Sequence, residues 1–158
     1  MFVTRRGGTE VLLLRRSPRQ GGYLHVVAGG VESGESRSQA AARELCEETG
    51  LIAEVNAGVE VVEYAYPLTE EPAKRRSRYD PSVVQVEVTC FSVQAPDDWE
   101  PLLDWEHDAH RWCDLQTAIE ALRWPATAQA LRELVAVPPI KRPEANDVRQ
   151  RSANTSDE

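Results

Sequence analysis

The chain has 158 residues and a formal net charge of −8, enough for one domain with a real core and too few for two ordinary ones. Its 26 acidic against 18 basic residues exclude a general nucleic-acid binder, so no stable nucleic-acid partner is expected, and they suit metal-assisted handling of small phosphorylated ligands. No apolar run approaches the ~18 residues of a membrane span. Met1-Phe2-Val3-Thr4-Arg5 lacks the apolar core of a signal peptide, so the expected location is cytoplasmic, and Cys46, Cys90 and Cys113, without C-x-x-C spacing, read as buried thiols.

Phe2-Val3-Thr4, a turn over Arg5-Arg6-Gly7-Gly8, and Glu10 to Arg15 read as a hairpin whose second strand is mostly buried. Arg16 to Gly22 reads as a loop, and Tyr23 to Val27 as a strand that delivers the chain to a glycine-rich loop. His25 on that strand is either a locally satisfied imidazole or a substrate contact. Ser36-Arg37-Ser38-Gln39 has the form of a capping box and Gly50 that of a helix-ending glycine, which predicts a helix from about Arg37 to Thr49. On it Glu44, Glu47 and Glu48 project together, opposed by Ala41, Ala42, Leu45, Cys46 and Thr49. Like charges so spaced destabilise a helix by roughly 0.2–0.5 kcal/mol per pair. A hard divalent cation such as Mg²⁺ or Mn²⁺ would explain their presence, and a solvated acidic face is the alternative.

Leu51 to Val55 and Val59 to Tyr66 read as strands joined by a turn at Asn56-Ala57-Gly58. Tyr64 and Tyr66 share one side, as cross-strand packing or as a platform for a base. Pro67 to Pro81 reads as a long polar loop whose Lys74, Arg75, Arg76 and Arg78 suit the outer phosphates of a nucleotide, with a solvated loop as the alternative. Ser82 to Val93 alternates clearly, placing Val84, Val86, Val88 and Cys90 on one face of a single strand. After a loop to Asp104 comes Trp105-Glu106-His107 with a short strand ending at Trp112. Asp114 caps a helix over Leu115 to Arg123, and Pro125 opens another over Ala126 to Val135. Residues 1–137 form one domain in this reading, and 138–158, polar and without net charge, a disordered tail.

Gly29, Glu35, Arg43-Glu44-Leu45, Glu47-Glu48 and Gly50-Leu51 match every fixed position of the Nudix box, a coincidence of nine positions that chance would give with probability on the order of 10⁻⁷. The chain therefore resembles the Nudix hydrolase (MutT-like) family. The resemblance implies an α/β/α fold, a mixed β-sheet sandwich between helices. It implies that Glu47 and Glu48 are metal ligands and Glu44 a further ligand or the base. Arg43 would orient Glu44, and Glu35 would tie the loop to the helix or join the outer metal shell. Gly29, Gly30 and Gly34 would let the loop turn tightly. The Glu106-His107 pair is similar to the segment that in many such enzymes adds a carboxylate, making Glu106 the candidate ligand outside the box, and Trp105 and His107 candidates to line a base pocket.

The implied activity is Mg²⁺-dependent hydrolysis of a diphosphate bond in a nucleoside diphosphate linked to another moiety. Layout outside the box is similar to the compact branch acting on deoxynucleoside triphosphates and dihydroneopterin triphosphate. Pro67, sixteen residues after Leu51, is instead a feature of the ADP-ribose branch, whose N-terminal extension has no room here. Diadenosine polyphosphate (Ap4A) hydrolases share the layout, but Leu24 to Gly29 lacks their Trp-x-x-Pro-Lys-Gly approach. A catalytically dead binding module is the reading from another class, opposed by intact Glu44, Glu47 and Glu48. The sequence leaves a homodimer open.

Overall fold

A computed structural model describes residues 1–55, 62–71 and 73–136, the side chains of Lys74, Val135 and Ala136 excepted. The fold is built around β2 (Glu10–Arg16). Val11, Leu12, Leu13 and Leu14 are each no more than 2% exposed, so both faces of this strand are covered. One edge of β2 pairs antiparallel with β7 (His107–Cys113) from Val11 to Arg16. The other edge is shared by β1 (Phe2–Arg5) at one end and β3 (Leu24–His25) at the other. β6 (Ser92–Gln94) continues the sheet parallel to β1, which makes it mixed. β4 (Val62–Pro67) and β5 (Gln85–Cys90) form a separate antiparallel pair.

Alternation along β2 sends residues to opposite sides of the sheet. Val11 and Leu13 join Phe2 with Ile119, Leu122, Leu131 and Leu134, from α3 (Leu115–Ala121), the residue after it, and α4 (Pro125–Ala136). Leu12 and Leu14 join Val3, Val27, Phe91 and Leu45, the last from α1 (Arg37–Thr49). The result is helix, sheet, helix, as the box resemblance implied.

Several elements depart from the sequence expectations. Arg16 ends β2 rather than opening a loop, and the strand after it is confined to Leu24–His25 although Val26 and Val27 are buried. Leu51 to Val55 is not a strand, and the turn at 56–58 and the start of the strand after it lie outside the described residues, as does the tail. The 67–81 stretch carries a 3-10 turn at Leu68–Glu70 and an α-helical turn, α2 (Ala73–Arg76). Ser82 to Val93 is two strands in two sheets, because Cys90 packs into one core and Phe91 into the other, where the Phe91 carbonyl accepts from the Phe2 amide. Val84 is exposed. Cys90 and Cys113 are buried thiols as expected, but Cys46 is exposed, because the buried side of α1 runs through Leu45, Glu48 and Thr49.

Candidate active site

The capping box and the C-terminal glycine fix where α1 begins and ends, and hence which way its carboxylates point. Ser36 Oγ accepts from the Gln39 amide at 3.2 Å and the Gln39 side chain accepts from the Ser36 amide at 2.8 Å. Gly50 closes the helix at φ 74°, its amide on the Cys46 carbonyl. Within these limits Glu44, Glu47 and Glu48 fall into three environments rather than one: their side chains are 17%, 57% and 5% exposed.

Arg43 organises the outer side. Its guanidinium grips Glu35 through Nε and Nη2, both at 3.0 Å, donates to Glu44 at 2.8 Å and Glu47 at 3.2 Å, and reaches the Gly30 carbonyl at 2.8 Å. Such a fork fixes direction as well as charge. It holds Glu35 below the ordinary carboxylate range, helped by the Glu32 amide. Glu44 is also pressed against the loop: a Cβ on Gly29 would lie 1.8 Å from its carboxyl carbon. Only glycine allows that approach. The tight-turn expectation holds for Gly34, at φ 82°, but not for Gly29 or Gly30, whose φ values are not positive; around a Gly30 Cβ there is open space.

Arg16 organises the inner side. It is 4% exposed, donates through Nη1 to Glu106, and brings Nη2 to 3.6 Å from Glu48. Glu106 stands in the turn before β7, its carbonyl accepting from the Ser17 amide at 2.7 Å. Glu48 takes one hydrogen bond, from the Ala28 amide at 3.2 Å. Burial pushes its carboxyl up to about 8, against the pull of Arg16, which lies beyond hydrogen-bond reach of it. Among the described residues no three His, Cys, Asp or Glu side chains converge into a group able to hold a metal ion. The two guanidiniums are instead the immediate partners of these carboxylates.

The remaining candidates are dispersed. His25 lies opposite Leu14, and burial, reinforced by Arg16, pushes it down to about 3, so it is neutral; its Nδ1 is buried without a partner among the described residues. His107 is buried, its Nδ1 2.7 Å from Asp104. Tyr64 packs on α4 through a 3.1 Å bond to Thr127, and the Tyr66 hydroxyl donates to the buried Glu71. Arg76 donates to the Thr69 carbonyl at 3.2 Å and Arg78 is exposed; the Lys74 side chain lies outside the described residues. Of the basic stretch, Arg75 comes within electrostatic reach of His25. Trp105 is exposed rather than packed. A recess of about 310 Å³ near Arg37 and Val88 is lined by Tyr64 but by none of His25, Tyr66, Arg76, Arg78 and Trp105. Arg16 is the residue the sequence reading passed over. Its signal was phase: two residues after Leu14 on a buried strand, it had to face α1.

Comparison with known proteins agrees with this fold. The NUDIX domain model matches residues 1–134. A curated relative named octanoyltransferase, from Myxococcus xanthus, is 42% identical over 130 residues, which take in 80% of this chain but only 31% of that protein, so the chain spans under a third of it. Among solved structures, the E. coli dihydroneopterin triphosphate pyrophosphohydrolase superposes with TM-score 0.68 at 26% identity, covering 85% of this chain and 91% of that one. A C. elegans Ap4A hydrolase shares the fold with TM-score 0.62 at 23% identity, over 85% and 91% of the two chains. The chain thus belongs to the NUDIX domain family.

Proposed function

We propose that this chain, with Mg²⁺ or Mn²⁺ bound, hydrolyses a diphosphate bond in a nucleoside triphosphate or a close analogue such as dihydroneopterin triphosphate, releasing pyrophosphate. The observation that carries the reading is Glu44, seated against Gly29 where no other residue fits and directed by the Arg43 fork. The donors suit a hard divalent ion: Glu44, Glu47, Glu48 and Glu106 offer carboxylate oxygens only, and a carbonyl near Ala28–Gly30 could add another. Such an ion would supply charge neutralisation at the diphosphate and a more acidic water.

The chain's own residues do the rest. Glu44 accepts the proton of the attacking water, whose oxygen bonds to phosphorus as the bond from that phosphorus to the bridging oxygen of the departing pyrophosphate breaks, its electron pair leaving on the bridging oxygen. Arg43 keeps Glu44 aimed. Glu35 locks Arg43 by its two-point contact, and the Gly30 carbonyl ties the loop to the same guanidinium.

For the substrate, support comes from the 26% identity and the superposition, over 85% of this chain and 91% of that one, with the dihydroneopterin triphosphate enzyme. Octanoyl transfer is no part of the proposal, because the chain spans 31% of the protein so named. The test is a Mg²⁺ panel of dATP, other deoxynucleoside triphosphates, dihydroneopterin triphosphate, Ap4A and ADP-ribose, read by product chromatography, with Glu44→Gln as control. Pyrophosphate from a triphosphate, lost in the variant by about 10²-fold or more, is expected. AMP with ribose phosphate would overturn the substrate and make Pro67 the better guide. A panel without turnover would favour a binding module.

A further inference from the structure

We propose that Arg16 is a built-in counter-cation standing between Glu48 and Glu106, which a divalent ion must displace, so that this arginine sets the metal affinity of the site. The inference rests on the reading of the box carboxylates as metal ligands, and goes beyond it by assigning a role to a residue outside the box.

Three observations carry it. First, Arg16 joins three parts of the fold at one point: it ends β2, contacts Glu48 of α1, and is bonded to Glu106 in the turn before β7. Second, it is nearly as inaccessible as Glu48, each side chain being 5% exposed. Water therefore screens little of any repulsion between the guanidinium and an incoming ion. Third, its Nε is buried with no partner among the described residues. An arginine kept for architecture alone would spend its five donors on its surroundings, as Arg43 largely does. Arg16 is instead held by the two carboxylates.

A monovalent cation and a divalent one cannot both sit within about 4 Å of the same oxygens in a water-poor setting without strong repulsion. Loading the ion must therefore break the contact of Arg16 with Glu48, Glu106 or both. Arg16 is thus a competitor for the two carboxylates, occupying the point that both face before the ion arrives. The sign of its effect on metal binding follows. Removing a structural support loosens a site; removing a competitor tightens it.

The experiment is calorimetric titration of Mg²⁺ into the metal-free wild type, Arg16→Gln, Arg16→Lys and Glu47→Gln proteins. Arg16→Gln is expected to bind Mg²⁺ about tenfold tighter than wild type, with Arg16→Lys, which keeps a cation on a more mobile stem, between them. In parallel, the arginine Nε–H resonances of the wild type are followed by NMR, with Arg16→Lys assigning the Arg16 signal. That signal should be protected from exchange without metal and should shift and exchange faster when Mg²⁺ is added. Equal or weaker binding in Arg16→Gln overturns the proposal, as does an unmoved Arg16 resonance in the wild type. A wild-type titration indifferent to Glu47→Gln would instead overturn the metal reading and this inference with it.

Discussion

Arg43 lies on the open side of α1 with Glu35, Glu44 and Glu47, whereas Arg16 lies beneath the helix with Glu48 and Glu106, its side chain 5% exposed against 24% for Arg43. Both neutralise carboxylates, yet the surroundings divide the consequences. Pairs near water are individually worth about 0–1 kcal/mol, so the Arg43 cluster owes its value to direction: a planar fork fixes where Glu44 points. A buried charge left without its partner costs about 3–5 kcal/mol, so the Arg16 cluster has far more leverage on whether α1 stays on the sheet. One helix thus carries an aiming device on one side and a holding device on the other.

The widest break in that comparison comes from removing each arginine. Arg43→Met should lower kcat by about 10²-fold or more through loss of aim on Glu44, while stability changes by no more than about 1 kcal/mol. Arg16→Met should lose about 2 kcal/mol through its bond to Glu106, a fall in Tm of roughly 4–8 °C for a chain of this size. Denaturant melts and steady-state kinetics on both variants check this. Equal losses of stability would erase the distinction between the two sides.

A smaller effect separates neighbours in the loop. A Cβ on Gly29 would collide with the Glu44 carboxyl at 1.8 Å, whereas one on Gly30 meets nothing within 4 Å. Gly29→Ala leaves the backbone unstrained, so its damage falls on Glu44: kcat should drop by roughly 10-fold to 10²-fold, with a stability loss of about 1–3 kcal/mol. Gly30→Ala should stay within about 0.5 kcal/mol of wild type and keep its activity. Parallel kinetics decide it, and equal impairment would mean that the loop needs glycine for flexibility rather than for room.

What could be read in advance follows the range of the forces involved. The α1 boundaries rest on contacts three or four residues apart, Ser36 with Gln39 and Gly50 with Cys46, and such contacts are written in the local sequence. The Arg43 contacts with Glu44 and Glu47 are equally local. The Arg16 contact with Glu106 spans 90 residues and depends on the pairing of β2 with β7, which no local pattern specifies. The crossing at Phe91 escaped for the same reason: alternation continues through Cys90 and Phe91, but the partner strand changes from β4 to β1. Cys46 and Glu48 were misjudged together, since a helical face drawn from composition assigns the carboxylate to water and the thiol to the core, and the packed helix reverses both.

The finest test of the buried side uses pH. Burial holds the Glu48 carboxyl at about 8, raised from an ordinary 4.5. Between those values the folded, metal-free protein keeps a proton that the unfolded chain has released. The native state then binds more protons than the unfolded one, so stability must fall as pH rises through this window. It is fully present near the ordinary carboxylate range and lost as pH passes about 8, with a slope of at most about 1.4 kcal/mol per pH unit for one proton. Glu48→Gln should remove that component, leaving a flatter profile in denaturant melts run from pH 5 to pH 9. Glu35 lies on the other side with the opposite sign, because Arg43 lowers its carboxyl, so its contribution is kept above the ordinary range and lost only on acidification. Glu35→Gln should therefore change the acid limb and leave the slope toward pH 8 untouched. A Glu48→Gln profile parallel to wild type would mean that water reaches Glu48, and the contrast between the two sides of α1 would shrink to one of contacts alone.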